Sequence, residues 1–430
     1  MSEHRFCRVF GRQVRQNRLS AEGHFHLALT PAAGTGKIAG SMTMLPSAIA
    51  VPDCRPLAVP ASQALRAFAA EGDSRAEQHA FCFGRSYDSY LVTEAGWEHF
   101  WSSGRRGMIA VARQGRHLFC GGGLLAPAEH QEELLRQFVV HALDQGRTMT
   151  FLNICEGQLP LFRDCGFQAT KWGEEAIVDL PDCDWSGKSY AWVRRQTNFC
   201  RRQGLEWFEC HRDEHSATQW SRLAAELTQV SEAFLAGKPQ SQEMRLLQAP
   251  FDPRRLGRKR LFAARRRPSG RIEGFLACNP CDNGRTWVME TCRQRPDAVR
   301  GTIPFLMHQA MSQLQAEGVR HVSLCLLPGL RCREPLPGDS AMVRWGLALG
   351  TGPLDPAYAV AGAHHFKSRF RPRFENRYLC VLPRATFGSA VAFIRLVGAL
   401  RFDPRKLIGL AWTRWRKRAA RATLLTPEET

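Results

Sequence analysis

Two short stretches carry the residues most able to do chemistry. In Met289-Glu290-Thr291-Cys292-Arg293 a carboxylate precedes a guanidinium by three positions near the end of an apolar run. Such a pair either closes on itself as a strand-end ion pair or serves a ligand, with Arg293 meeting a phosphate or orienting Glu290 through a bidentate bond. In His365-Phe366-Lys367-Ser368-Arg369-Phe370 cations alternate with phenylalanines. The rings are expected to anchor while Lys367 faces a phosphate; a solvated helix face is the alternative. Glu375 and Arg377 follow and could brace that segment, and Tyr378 could donate to an oxyanion or simply pack. Arg194, Arg195, Arg201 and Arg202 recur at helical spacing, which fits either phosphate-backbone contact or a solvated basic face. Glu174 and Glu175 open a strand, where one of them is expected to bond within a junction between units. His308, alone on a helix, reads as packing.

Weaker signals fall away on inspection. Gly34-Thr35-Gly36-Lys37 has Pro31 where a phosphate loop needs glycine and Ile38 where it needs Ser or Thr. Cys278-Asn279-Pro280-Cys281 is the only close pair among the fifteen cysteines, and a single CxxC without partners at matching spacing is a poor zinc signal. It reads as a turn between strands, and no metal or cofactor is expected. An odd number of scattered cysteines argues for reduced thiols in the cytosol rather than a secreted disulfide framework.

Charge gives the sharper constraint. In the 430 residues, 59 Lys+Arg stand against 40 Asp+Glu, a net of +19, so polyanions such as nucleic acid or anionic lipid are the natural partners. With 44% apolar and 23% charged residues the chain is globular, and no apolar run is long enough for a spanning helix.

The elements that must hold these residues follow from periodicity. Residues 1–78 are poorly patterned. Strands are predicted at Ser89–Val92, Met108–Ala112, His117–Cys120, Thr148–Leu152 and Ala176–Leu180, with helices at Glu132–Leu143 and Leu159–Asp164. A second α/β unit repeats the scheme. It has helices at Trp192–Gly204, Ala217–Ala236 and Thr302–Glu317, and strands at Glu206–Cys210, Arg260–Ala264, Ile272–Ala277, Thr286–Thr291 and His321–Leu326. Boundaries are expected near 79–184 and 185–383. From Arg384 to Arg421 ten Lys/Arg face Asp403 alone, interleaved with Leu, Phe and Trp, which describes basic amphipathic helices over 384–430 able to lie on anionic lipid.

Four stretches in this order resemble the cytosolic catalytic part of bacterial phosphatidylglycerol lysyltransferases, the multiple peptide resistance factor type. They are Lys171–Leu180 with Arg194–Gly204, Phe234–Lys238 with Glu243-Met244, Met289–Gly301, and His365–Leu379. The resemblance spans roughly residues 85–382. It implies an α/β fold of two tandem GNAT-like acyltransferase domains, with the active site in the second. It also implies an aminoacyltransferase that moves a lysyl or alanyl group from aminoacyl-tRNA to the hydroxyl of an anionic phospholipid. Glu290 would then hold the α-ammonium, and the four arginines would contact tRNA.

Family members carry an N-terminal membrane domain that moves the product across the bilayer. This sequence is expected to lack it, which implies a peripheral enzyme at the inner face of the cell membrane and a separate lipid flippase. Glu290 stands where the family tends to have Asp, Phe374 where it tends to have Trp, and Cys325 and Leu327 narrow a strand end near the expected pocket. Two rival readings are an acyl-CoA N-acyltransferase and a non-catalytic lipid- or nucleic-acid-binding module. The first is weakened because Arg295–Gly301 holds one glycine with Pro296 and Asp297, a poor pyrophosphate cradle.

Overall fold

The computed structural model describes residues 74–238, 243–332, 334–351 and 360–398. All of them belong to the compact unit Phe68–Thr430. The expectations for residues 1–73 and for the basic segment 399–430 lie outside the described residues.

The described chain runs α1 (Ser74–Phe83), β1 (Glu98–Trp101), β2 (Met108–Gln114), β3 (His117–Leu125), α2 (Gln131–Asp144), β4 (Thr148–Cys155), α3 (Leu159–Asp164) and β5 (Gln168–Asp179). It continues through α4 (Ala191–Arg202), β6 (Leu205–Glu209), α5 (Ala217–Ala236), β7 (Arg260–Arg266), β8 (Ile272–Cys281), β9 (Thr286–Gln294) and α6 (Thr302–Ala316). The last elements are β10 (His321–Pro328), α7 (Ala341–Thr351), α8 (Val360–Lys367), β11 (Arg373–Leu382) and α9 (Phe387–Val397). The mixed α/β class read from the sequence is therefore the one observed.

All eleven strands form one sheet, ordered β1-β2-β3-β4-β11-β5-β10-β9-β8-β7-β6. Among the described strands only β3–β4 and β9–β10 pair in parallel, each joined by a crossover helix (α2 or α6). The halves also interlock. β11, from the far end of the chain, inserts between β4 and β5, while β5 pairs with β10 of the second half. At the centre Glu375 of β11 stands opposite Glu175 of β5.

Apolar burial follows strand alternation. One face of the second half packs Phe262, Leu276, Met289 and Val322 against Phe305, Leu306 and Met311 of α6 and Val193 of α4. The other packs Leu261, Ala263 and Phe275 against Trp220, Leu227 and Val230 of α5. Helix α5 starts cleanly because Ser216 and Gln219 form a reciprocal capping box.

Three expectations need correction. Ser89–Val92 is not a strand. The Ser89 hydroxyl accepts from the amides of Arg85 and Ser86, and Asp88 accepts from Gly122, so local side-chain bonds win over a ladder and a 3-10 turn forms at Leu91–Thr93. The segment around residue 78 is helical as α1, which buries the small Ala76 and Ala80. Cys278 and Cys281 lie inside β8 rather than in a turn. Three apart on a strand, they join clusters on opposite faces.

Candidate active site

The site begins where two strands part. β9 and β10 pair only from Thr286 to Val288 and from His321 to Ser323; beyond that each runs on without the other. Both are irregular at this point. On β9, Ala277 faces Thr291 and Cys278 faces Met289, so Glu290 is an extra, unpaired residue in a bulge. On β10 the register against β5 shifts between Ser323 and Leu326, with Cys325 at φ 66°. Residues needed for chemistry often sit at such irregularities, because a bulge re-aims a side chain.

Glu290 turns toward the segment after α5. Its Oε1 accepts from the Ala249 amide at 3.0 Å and its Oε2 from the Thr291 hydroxyl. Burial pushes its carboxyl above the usual carboxylate range, although these two bonds and the fields of Lys259 and Arg293 oppose the rise. It is a carboxylate short of positive charge.

Arg293 does not supply that charge directly. Its guanidinium is buried, donates to Glu243 at 2.7 Å and to the Ser231 hydroxyl, and lies 5.9 Å over the Phe251 ring. The expected bidentate pair with Glu290 is therefore replaced by a single bond to Glu243. The same contacts hold Arg293 inside the fold rather than on its surface.

Lys367, at the end of α8, also turns inward. Its Nζ donates to the carbonyl oxygens of Cys325 and Leu326 at 3.1 and 3.2 Å, holding the kinked end of β10. The expectation that it faces outward to a phosphate is corrected, since strand carbonyls freed by the bulge are the nearer acceptors. Burial lowers its pKa, while the neighbouring Cys325, Cys292 and Glu175 work against that.

Between these groups lie two thiols. Burial pushes Cys292 up to about 12, with Glu290 adding to the rise and Lys367 and Arg293 opposing it. Cys325 is raised well above the ordinary thiol value by burial, and its Sγ donates to the Met289 carbonyl at 3.5 Å. Neither is a thiolate nucleophile at neutral pH. The charges of Glu290, Arg293 and Lys367 all act on the Cys292 thiol, and each side chain bonds to other groups: Glu290 to Ala249 and Thr291, Arg293 to Glu243 and Ser231, Lys367 to Cys325 and Leu326.

The remaining candidates fall elsewhere. Glu375 bonds Arg373 at 2.7 Å and Arg377 at 2.9 Å; burial would raise its pKa, but the two guanidiniums outweigh it and hold the carboxyl below the usual range. Arg377 also grips the fully buried Glu175 at 2.7 Å. Glu175 accepts from the Ser323 hydroxyl at 2.5 Å, and Ser323 Oγ accepts from the Cys325 amide at 3.1 Å. This chain of bonds braces the β10 bulge from the centre of the sheet, which makes Glu375 part of a support. Tyr378 is buried, with the Asn376 side chain as a hydrogen-bond partner and Glu156 and Arg163 acting on it by their charge, and is not gathered with Glu290. Glu174 bonds Lys171 at 2.7 Å and Arg331 at 3.1 Å.

The arginine set divides. Arg194 ties the carbonyls of Trp185 and Gly187, and Arg201 reaches Gln309 at 3.2 Å. Arg195 and Arg202 are exposed on one side of α4 with Asn198 and Phe199. His308 packs at the edge of Trp185 and bonds Thr197; burial, then Arg201, lowers it to about 4.

Sequence reasoning missed the partners Glu243 and Ser231, the Arg377–Glu175–Ser323 support, and Asn279. Asn279 is 1% exposed, stands opposite Val288 beside the Glu290 bulge, and leaves both its amide oxygen and nitrogen without a partner among the described residues. A polar residue inside the otherwise apolar run Gly274–Cys281 was the signal available.

Comparison with known proteins gives a consistent picture. The family model described as phosphatidylglycerol lysyltransferase, C-terminal, matches residues 83–381. The phosphatidylglycerol lysyltransferase of Bacillus subtilis is 23% identical over 308 residues, covering 71% of this chain and 34% of that protein. The Staphylococcus aureus enzyme of the same name is 28% identical over 116 residues, 27% of this chain and 14% of its own length. This chain therefore spans about a third or less of these relatives. Among solved structures, L-PGS from Bacillus licheniformis superposes with a TM-score of 0.64 at 22% identity, covering 76% of this chain and 98% of that one. A C-terminal domain assigned to lysylphosphatidylglycerol synthetase from Agrobacterium fabrum gives 0.63 at 24%, covering 77% and 98%.

Proposed function

The chain belongs to the family of phosphatidylglycerol lysyltransferase C-terminal domains, and from that premise we propose that it moves an aminoacyl group, lysyl or alanyl, from charged tRNA to a glycerol hydroxyl of phosphatidylglycerol. The observation that carries the reading is Glu290, a half-buried carboxylate held in a strand bulge and raised by desolvation, whose charge acts with that of Lys367 on the Cys292 thiol. A carboxylate lacking charge compensation binds a cationic amine well, because the incoming ammonium offsets the cost of keeping Glu290 ionised.

The donor is an ester and is already activated, so the site needs position and electrostatics more than a strong nucleophile. Glu290 holds the α-ammonium and fixes the ester near the parting of β9 and β10. The lipid hydroxyl oxygen attacks the ester carbonyl carbon; the carbon–oxygen bond to the ribose breaks, and the hydroxyl proton passes to the leaving ribose oxygen. Lys367 keeps one N–H beyond the two given to Cys325 and Leu326, and its charge favours the oxyanion. Direct transfer is preferred to an acyl-enzyme because both nearby thiols are held protonated. Arg195 and Arg202, with Phe199 between them, offer a face for the tRNA backbone. An acceptor of this kind places the protein at the cytoplasmic surface of the cell membrane.

The acyl-CoA alternative gains no support from the loop before α6, where Asp297 is fixed to Arg271 at 2.9 Å and puts a carboxylate near the helix start. The test mixes the protein with phosphatidylglycerol vesicles and tRNA charged with labelled lysine or alanine, then extracts lipid. RNase-sensitive label in the lipid phase is expected. Label arising from acyl-CoA alone, or none from either donor, refutes the reading.

A further inference from the structure

Helix α9 packs on the first half of the sheet, far along the chain from the Glu290 bulge. Its inner side buries Ser389, Ala392 and Val397, and Phe393 meets the Phe119 ring at 5.4 Å. Its outer side should then be polar. It is not. Phe387 is 63% exposed, and Val391 and Ile394, at the i+4 and i+7 positions, continue the same stripe half-buried. Beside this stripe a cavity of about 390 Å³ opens between the helix and the β2–β3 turn, with Arg116 and His117 on one wall and Phe387, Val391 and Arg395 on the other.

The charged side chains that line this cavity are arginines. Among the described residues no acidic side chain lines the cavity, and 384–398 contains neither Asp nor Glu. Arg116, Arg384 and Arg395 are exposed and have no acidic partner among the described residues. His117 bonds Thr148 at 2.7 Å through Nδ1, and burial and then Arg116 lower its pKa, so the cavity's cations are the arginines. The sequence that follows directly, 399–421, adds eight Lys/Arg against Asp403, together with Trp412 and Trp415.

We infer that the α9 stripe and the Arg116–Arg395 cavity are the surface by which the protein docks on an anionic phospholipid bilayer, with Phe387 entering the headgroup layer and the arginines meeting lipid phosphates. An apolar ring at the centre with guanidiniums around it suits the boundary between acyl chains and headgroups, where each group finds its preferred medium. Among the described residues no helix is long and apolar enough to cross a membrane, so the contact is one of surface. The inference rests on the proposed lipid acceptor, and it places docking apart from the chemistry.

The experiment floats the full chain with vesicles of phosphatidylcholine alone or mixed with phosphatidylglycerol. It compares wild type with Arg116→Ala/Arg395→Ala and with Phe387→Ser. On the mixed vesicles at low salt the double variant should partition about thirtyfold less well, with the difference shrinking as salt rises. Phe387→Ser should lose about tenfold at every salt concentration. Thermal unfolding and aminoacyl transfer to detergent-dispersed phosphatidylglycerol should be unchanged in both, since neither substitution touches the Glu290 region.

Vesicle partition that stays at the wild-type level in folded variants overturns the inference. So does a loss of tRNA retention with vesicle binding intact, which would make the patch an RNA surface. An equal loss of transfer in detergent also overturns it, by assigning the patch to the chemistry. Wild-type protein that floats normally yet transfers nothing in either assay would sink the proposed reaction while leaving the docking surface standing.

Discussion

The sheet contains two places where parallel strands part after a crossover helix, and the protein treats them oppositely. In the first half β3 and β4 pair from His117 to Cys120 and from Thr148 to Phe151, then separate. In the second half β9 and β10 do the same. Each following strand carries one residue with positive φ at a register shift, Asn153 at 57° and Cys325 at 66°. The difference lies in the filling. The first parting is closed by the chain itself: the Gly122 amide donates to Asp88 at 3.1 Å, the Ser89 hydroxyl donates to the Gly122 carbonyl at 3.2 Å, and Tyr87 and Leu91 pack toward Trp172 and Leu326. The second holds Glu290 at the bulge, where the first has Gly122. On the function proposed above, one copy of the frame keeps its strand opening for the reaction while the other has used it as core.

The largest test of this contrast is Glu290→Gln. Transfer should fall about 10²–10³-fold, because an amide cannot balance an ammonium, while thermal stability should rise. The sign follows from the raised carboxyl: burial costs the ionised form, so the folded state loses stability as pH climbs through the carboxylate range, and a neutral side chain removes that loss. For the same reason wild-type transfer should fall on acidification at a pH above the usual carboxylate value of 4.5. A pH–rate profile indifferent to Glu290→Gln would remove Glu290 from the site.

Arg377→Met should be nearly as costly, but to folding. It strands Glu175 as an uncompensated buried charge, with an expected loss of about 3–5 kcal/mol by denaturant titration. Stability within about 1 kcal/mol of wild type would show that the central pair is not a support for the β10 bulge.

Gly122→Ala probes the closed copy. An added Cβ would lie 2.9 Å from Val92 Cγ1 and 3.2 Å from Ser89 Cα, at φ 73°. A loss of about 1–3 kcal/mol is expected with transfer per folded molecule unchanged. A drop in specific activity would mean that the first parting takes part in the reaction. Smallest of all, Asn279→Leu should raise the unfolding midpoint, by about 1 kcal/mol of stability, because it removes a buried amide with no partners. A lower midpoint would mean that the amide is satisfied in solution.

Much of the local architecture was open to reading. Apolar spacing predicts helix α5 at Ala217–Ala236 and α3 at Leu159–Asp164, and both stand at those bounds. The β7–β8 hairpin was marked by Pro268-Ser269-Gly270 between two apolar runs. Ser89–Val92 failed because hydroxyl and carboxylate bonds to nearby amides do not show in hydropathy. Residue type marks Glu290, Arg293 and Lys367 as chemically able but does not give their partners, since a salt bridge such as Arg293–Glu243 depends on which loop folds back over a strand.

The sequence alone determined which residues could be charged, which runs must be buried, and that the strand–helix–strand scheme occurs twice. These are properties of near neighbours and of composition. Only the tertiary structure decided that β11 enters between β4 and β5, that Lys367 turns in to strand carbonyls, and that one opening is filled while the other keeps a half-buried carboxylate. Those outcomes depend on contacts between distant segments, where desolvation and register choose among partners that hydropathy leaves equivalent.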